Sequence, residues 1–144
     1  MEPVIRPMRQ SDLPELVHLF SDAEVMRYLL PPNSAQEFLQ EAALCQPPLV
    51  YAVEDAAHIF LGYVIYHAYD EESVELGWVL KRAHWGGGLA KALTRQMLIR
   101  AKAEYKTAVI ECAPAQAATI HIAQYFGFSS VEFRDGLLVF KTNL

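Results

Sequence analysis

The chain has 144 residues, of which 53% are hydrophobic and 20% charged, so one folded domain is expected and a disordered chain is excluded. Its net charge of −5 disfavours general binding to nucleic acid, although it leaves a small anionic ligand open. Cys45 and Cys112 fit no metal-ligand pattern, and no apolar run approaches the length of a membrane span. We therefore expect a cytoplasmic protein that has no metal site and binds neither nucleic acid nor membrane.

The pattern of apolar residues and helix or turn signals predicts a mixed α/β chain in the order β-α-α-β-β-β-α-β-α-β-β. The first part of the chain is predicted to hold a strand over 4–7, a helix with Ser11 as N-cap, a short helical restart at Asp22 ended by Pro31-Pro32, and a helix over 35–44 opened by a Ser34–Glu37 capping box. Strands over 49–53, 59–66 and 73–80 follow, and a helix of about 16 residues begins after three glycines. The chain then continues with a strand over 107–113, a helix over 115–126 and a hairpin over 131–141 around Asp135-Gly136.

The triple glycine Gly86-Gly87-Gly88 lies between a strand and the start of a helix. Glycines permit unusual backbone angles, and a helix N-terminus offers unpaired N–H groups and partial positive charge to a phosphate. The same residues could also form a plain tight turn. The spacing is neither the dinucleotide pattern GxGxxG, because Lys91 stands where a small residue belongs, nor the phosphate loop GxxxxGK[ST].

The stretch from Trp85 to Ala90, Trp-Gly-Gly-Gly-Leu-Ala, resembles the [Q/R]xxGx[G/A] acetyl-CoA loop of the GCN5-related N-acetyltransferases (GNAT), with Trp85 in the Gln/Arg position. Together with the preceding Glu75-Leu-Gly-Trp-Val-Leu, it is similar to the branch that acetylates ribosomal-protein N-termini. Gln116-Ala-Ala-Thr119 through Gly127-Phe128 resembles a second family pattern, Asn-x-x-Ser followed by Gly-Phe. The resemblance covers the whole chain and implies an acyl-CoA N-acyltransferase fold, a mixed-sheet α/β domain over residues 1–144.

The resemblance further implies that acetyl-CoA is the cofactor. The N–H groups of Gly86 through Lys91 would bind its pyrophosphate, and the strand before them would pair with the pantetheine arm and splay from its neighbour at a bulge. Gln116, one carbon longer than the usual Asn, would contact the arm from the other side. The cofactor-binding residues expected on this basis are Trp78, Val79, Leu80, Trp85, Gly86, Gly87, Gly88, Leu89, Ala90, Lys91, Gln116 and Thr119.

Transfer to an amine requires the amine to be neutral, and a lysine-like amine must lose a proton at a cost of roughly 4–5 kcal/mol at pH 7. Glu75 is the best candidate base, since alternation places it on the strand face of Gly77, which leaves room for a ligand. It could instead be an exposed carboxylate or the partner of a lysine. The Tyr that acts as acid in the family is replaced by Ala123, so Tyr125 is kept as the candidate acid, although a CoA thiolate could leave without one.

Two functions remain open. The first is an acetyl-CoA-dependent N-acetyltransferase, in which a small amine, an amino acid or a peptide N-terminus attacks directly in a ternary complex. The alternative is a non-catalytic acyl-CoA-binding or partner-binding protein on the same fold, which Ala123 and Gln116 favour. The acidic balance suits a cationic acceptor, and the family suggests a homodimer. Of the histidines, His84 could touch phosphate, whereas His18, His58, His67 and His121 are interpreted as structural.

Overall fold

The structure is a computed structural model that describes residues 2–144, and Met1, which the expected domain includes, lies outside them. Over the described residues, seven strands and four helices follow one another in the predicted order. The strands are β1 (Val4–Arg6), β2 (Val50–Glu54), β3 (Phe60–Ala68), β4 (Ser73–Leu80), β5 (Thr107–Cys112), β6 (Ser129–Arg134) and β7 (Leu137–Asn143). The helices are α1 (Leu13–Phe20), α2 (Ala35–Phe38), α3 (Leu89–Glu104) and α4 (Ala117–Tyr125).

All seven strands form one sheet in the order β1-β2-β3-β4-β5-β7-β6. Neighbouring strands are antiparallel except β4 and β5, which are parallel because α3 carries the chain back between them. The parallel pairing spans only three residues, Ser73–Glu75 against Thr107–Val109. From Leu76 onward β4 pairs with β3 alone, so the sheet splits open between β4 and β5. The splay agrees with the family resemblance, but the β3–β4 register is continuous and has no bulge.

Each face of the sheet has its own hydrophobic core, because side chains of a strand alternate between faces. On one face, Leu76 and Leu80 of β4 pack with Leu93 and Met97 of α3 and with the buried side of α4. On the other face, Val79 of β4 belongs to the core under α1 and α2. Strand β4 therefore contributes to both cores and runs between them to the opening in the sheet.

Several local predictions are confirmed. The Ser34 hydroxyl accepts a hydrogen bond from the Glu37 N–H at 3.0 Å, which confirms the N-cap half of the predicted capping box. Asp135 and Gly136 have φ angles of 53° and 81°, as expected for a type I′ hairpin turn. The predicted 16-residue helix is α3.

Three local predictions are wrong. Ser11 does not cap α1, because it lies inside a short 3-10 turn, Gln10–Asp12, that precedes the helix. The chain after Asp22 forms successive turns rather than a helix. The helix predicted over 35–44 is α-helical only to Phe38 and continues as a π-helical turn over Leu39–Ala43.

Arg6 of β1 joins two buried carboxylates at the edge of the sheet. Its guanidinium donates to both carboxylate oxygens of Asp12, at 2.8 and 2.9 Å, and to Glu54 at 2.7 Å. Burial disfavours ionised Asp12, but the hydrogen bonds from Arg6 and from the Arg9 N–H outweigh it and lower the pKa of Asp12. The carboxyl of Asp12 is drawn into this network, so it gives α1 no side-chain cap.

Arg6→Met should lower the free energy of unfolding at pH 7 by about 1.5–3 kcal/mol, the range for a lost hydrogen bond to a charged group. Because the pKa of Asp12 is lowered in the folded state, its contribution is complete above the unfolded pKa of about 3.9 and is lost as the pH falls through the folded value. In urea unfolding experiments, the difference in the free energy of unfolding between wild type and variant should therefore be smaller at pH 3 than at pH 7. Lys106→Met, which breaks an exposed ion pair with Glu72, is the control, and an equal loss there would contradict the prediction.

Candidate active site

The backbone of β4 beyond Glu75 faces an open cleft instead of a neighbouring strand. The Lys81 N–H donates to the Leu61 carbonyl at 2.9 Å, which directs the backbone of Lys81 toward β3. Because backbone groups alternate in direction along a strand, those of Trp78 and Leu80 point the opposite way, into the cleft. These groups form the edge against which an extended ligand can pair.

Val79 is an exception to the expected cofactor contacts. Its carbonyl points toward β3, where a Cβ on Gly62 would collide with it. Gly62, at φ +145°, is therefore required by the close approach of the two strands. The prediction that the main chain of Val79 pairs with the pantetheine arm does not fit this direction of its carbonyl, although Val79 is among the residues that line the cavity.

The glycine turn lies where β4 leads into α3. Gly86 and Gly88 have φ angles of +78° and +84°, which favour glycine, and Gly88 is the N-cap of α3. The first hydrogen bond of the helix joins the Ala92 N–H to the Gly88 carbonyl at 3.1 Å. The N–H groups of the preceding first turn are thus directed out of the helix end. That turn contains no acidic side chain, so the partial positive charge of the helix end is not neutralised.

Trp85 fastens the glycine turn to the end of β4. Its indole N–H donates to the Leu80 carbonyl at 3.0 Å, while the residue remains 49% exposed. The hydrogen bond closes the loop of residues between the strand and the turn. Trp85 thus has a structural role that the sequence comparison with Gln or Arg could not reveal.

A cavity of about 760 Å³ runs through the opening in the sheet. It brings together most of the cofactor-binding residues expected from the sequence, but Gly87 is not among the residues on its wall. The expected residues that line it are Trp78, Val79, Leu80, Trp85, Gly86, Gly88, Leu89, Ala90, Lys91, Gln116 and Thr119.

The start of α4 forms one wall of the cavity. The Gln116 side-chain carbonyl accepts a hydrogen bond from the Ala113 N–H at 2.7 Å, which holds the turn between β5 and α4. The side-chain NH₂ of Gln116 is then the group left for a ligand. His121, interpreted from the sequence as structural, also lines the cavity, as does His84 beside the glycine turn.

Tyr125 lies outside the residues that line the cavity. It is 56% exposed, and its ring centre is 4.1 Å from the Lys91 ammonium nitrogen. Ala123, at the position of the family's usual Tyr, is fully buried in the core between α4 and the sheet. Ala123 and Tyr125 point to different sides of α4, because two residues along a helix correspond to about 200° of rotation.

Glu75 stands at the point where β4 and β5 part, on the α1 face of the sheet. It is not among the cavity-lining residues, and its side chain is 24% exposed. The expectation that Gly77 leaves room for a ligand is wrong, because the Ile65 side chain fills that space, 2.9 Å from where a Cβ would lie. Burial raises the pKa of Glu75, and the charge of Glu111 raises it further, while His67 opposes the shift.

Sequence reasoning missed the wall formed by the segment between α1 and α2. The lining residues of this segment are Glu24, Val25, Arg27, Tyr28 and Leu29. Asp22 holds the segment in place, accepting from the Glu24 N–H at 3.0 Å and pairing with Arg82 at 3.2 Å. Asp22 at the start of a turn is a local signal for the conformation of this segment. Its pairing with Arg82 depends on the fold, because the two residues are distant in the sequence.

Within residues 2–144, no group of three or more His, Cys, Asp or Glu side chains is placed to hold a metal ion. No helix in the same part of the chain is long and apolar enough to cross a membrane.

A sheet that splits beside a glycine turn, with a helix end directed into the opening, defines an acyl-CoA N-acyltransferase fold. Residues 4–129 match the family described as an acetyltransferase (GNAT) domain, and the chain belongs to this family. It is therefore an N-acetyltransferase, with acetyl-CoA as its acetyl donor. No curated protein matches the sequence.

Several solved structures share the fold at low sequence identity. A GNAT-family acetyltransferase from Bacillus anthracis is 16% identical, with a TM-score of 0.84 over 100% of this chain and 95% of that one. Spermidine N-acetyltransferase from Vibrio cholerae, solved with CoA and spermine, is 18% identical, with a TM-score of 0.82 over 99% and 95%. The GNAT domain of S. lividans PAT is 20% identical, with a TM-score of 0.77 over 97% and 89%.

Gly88→Asp should weaken acetyl-CoA binding at least about tenfold, because it places a carboxylate at the helix end expected to receive the pyrophosphate. Gly88→Asn is the matched control, since Asn and Asp both tolerate the positive φ of this position and differ in charge. No atom lies within 4 Å of a Cβ there, so neither variant is crowded. Titration calorimetry with acetyl-CoA should separate the two variants, and equal affinities would remove Gly88 from the phosphate site.

Proposed function

We propose that the protein transfers the acetyl group of acetyl-CoA directly to a primary amine, with both substrates bound at once. The observation that carries this proposal is the separation of β4 from β5 immediately after Glu75, which leaves a cleft through the sheet. The cleft is bordered by the glycine turn on one side and by the segment after α1 on the other. Glu75 lies where the two strands part, outside the residues that line the cavity. A donor and an acceptor can thus approach from opposite faces.

The donor site would use the chain's own backbone groups. The N–H groups from Gly86 to Lys91 would receive the pyrophosphate, while the Trp78 and Leu80 backbone groups would hydrogen-bond the pantetheine arm. The Leu80 carbonyl already accepts a hydrogen bond from the Trp85 indole N–H. The backbone N–H of Leu80 would therefore be the main group that Leu80 offers to the pantetheine arm. A backbone N–H directed at the thioester oxygen would stabilise the developing negative charge, which is typically worth roughly 3–4 kcal/mol.

Glu75 would act as the general base. Its carboxylate would take a proton from the acceptor ammonium, and the neutral nitrogen would then attack the thioester carbonyl carbon. The new C–N bond forms, the C–S bond breaks, and a proton on the resulting amide nitrogen neutralises the departing thiolate. Because Ala123 is buried and Tyr125 lies outside the cavity wall, we propose that no side chain is needed to protonate the thiolate.

The acceptor would be a cationic primary amine. The net charge of −5 would favour such a ligand over an anion. Glu24 offers it a carboxylate on the cavity wall, where Arg27 of the same segment is the neighbouring basic group. Spermidine is the acceptor that the name of the similar Vibrio cholerae enzyme gives for that protein. The sequence resemblance to the ribosomal-protein branch supports a peptide N-terminus as a second acceptor to test.

Purified protein with acetyl-CoA should release free thiol when an amine from a suitable panel is added. The panel contains polyamines, basic amino acids and peptides with free N-termini, with their N-acetylated forms as controls. Mass spectrometry should show the acetyl group on the amine nitrogen. Tight binding of acetyl-CoA without thiol release from any amine would contradict the proposal and favour the non-catalytic alternative.

Glu75→Gln should lower kcat by about 100-fold or more, the lower end of what a general base contributes, while acetyl-CoA affinity stays unchanged. Because the pKa of Glu75 is raised by burial, wild-type kcat/KM should fall with decreasing pH at a value above the ordinary carboxyl range. The variant should lack that limb. Glu132→Gln, on the exposed strand β6, is the control, and a wild-type pH profile in Glu75→Gln would contradict the assignment.

A further inference from the structure

His67 and Glu75 face each other across two neighbouring strands. They are direct partners in the β3–β4 register, so the backbone fixes their relative position. The His67 Nε2 atom lies 3.5 Å from a Glu75 carboxylate oxygen, and the two side chains are 27% and 24% exposed. Both are therefore shielded, but His67 keeps a route to solvent.

The second ring nitrogen of His67 determines what Nε2 can do. Nδ1 lies 3.0 Å from the Ala68 carbonyl oxygen, which can only accept a hydrogen bond. Nδ1 therefore carries a hydrogen, and in the neutral ring Nε2 presents a lone pair to Glu75. A lone pair facing a carboxylate is repulsive, so the contact becomes favourable when one proton lies between the two groups.

We propose that Glu75 and His67 share one proton, and that His67 conveys to solvent the proton that Glu75 removes from the acceptor. This inference rests on the proposed role of Glu75 as the base. His67 acts through Glu75 and is a positioning residue rather than a catalytic one.

The charged surroundings support a proton held in this position. Glu111 lies on β5, two residues beyond Val109, which is the parallel partner of Glu75. Its negative charge and the burial of Glu75 both favour the protonated carboxyl. The titratable groups around Glu111 are Tyr69, which donates to Glu111 at 2.9 Å, Arg134, 3.7 Å from Glu111, and Lys141, 6.0 Å from the Tyr69 ring.

The proton balance closes without another reactant. The pair first releases its shared proton to water through the His67 imidazolium. The ammonium then gives one proton to the freed Glu75 carboxylate, which restores the shared proton between Glu75 and Nε2 of His67. Acetyl transfer then gives the amide and the CoA thiol from the neutral amine and acetyl-CoA. Each turnover therefore releases one proton and restores the starting state of both side chains.

The shared proton can be tested without turnover. Nitrogen NMR of the His67 ring should show a hydrogen on Nδ1, and carbon NMR of the Glu75 carboxyl should report a partly protonated group. In Glu75→Gln the Nε2 signal of His67 should change, because the group that shares its proton is gone. An unchanged His67 ring spectrum in Glu75→Gln would overturn the proposal.

Kinetics on the amine found in the acceptor panel test the relay itself. His67→Gln should lower kcat about tenfold, part of the range for acid–base assistance, with the acetyl-CoA Kd and the KM for the amine unchanged. Added imidazole should restore activity to His67→Ala, which a purely structural role would not allow. His58→Gln is the matched control, because His58 also pairs with a glutamate, Glu54 at 3.0 Å, but lies at the β2–β3 turn.

The outcomes distinguish this inference from the function on which it rests. Impaired Glu75→Gln with fully active His67→Gln would overturn the relay and leave the base assignment intact. Fully active Glu75→Gln would overturn both. Loss of activity in both variants, with imidazole rescue and a changed His67 ring spectrum in Glu75→Gln, would support the shared proton.

Discussion

The parting of β4 from β5 is the constraint on which the rest of the site depends. Parallel pairing stops after Glu75, and the backbone groups of Trp78 and Leu80 are left facing a cleft. A buried backbone group without a partner costs about 1–3 kcal/mol, so this edge must meet water or a ligand. In the proposed function, the pantetheine arm would supply the hydrogen-bond partners that β5 does not supply to this part of β4. The site is thus an opening in the sheet that lies between the hydrophobic cores of its two faces.

The cores on the two faces keep the gap from closing. Strand β4 packs against α3 through alternate side chains and against the α1 side through the others. Two ion pairs fasten the α1 side to the chain just after β4: Lys81 with Glu15 at 2.5 Å, and Arg82 with Asp22 at 3.2 Å. The glycine turn and the segment between α1 and α2 are therefore both held by residues just after β4. If donor and acceptor bind as proposed, this arrangement would fix their relative position.

Much of this architecture could be predicted from the sequence, because it depends on residues close together in the chain. The element order follows from the periodicity of apolar residues, and the Ser34 cap and the Asp135-Gly136 turn follow from local side-chain chemistry. The glycine turn and the position of Glu75 on β4 were also recognisable, since both lie within one continuous motif. Residues over 22–30 were misread because nearby signals indicated a helix, whereas the structure has turns tied to Arg82.

Short-range geometry governs the elements and the motif that joins β4 to α3, so both can be predicted from the amino-acid sequence. What fills the space beside Gly77 depends on the folded sheet, because the Ile65 side chain of the neighbouring strand lies there. The position of His67 opposite Glu75 likewise depends on the strand register. A shift of one residue in the β3–β4 register would turn each side chain to the other face, so these contacts depend on the buried pattern of both strands and the turn between them acting together.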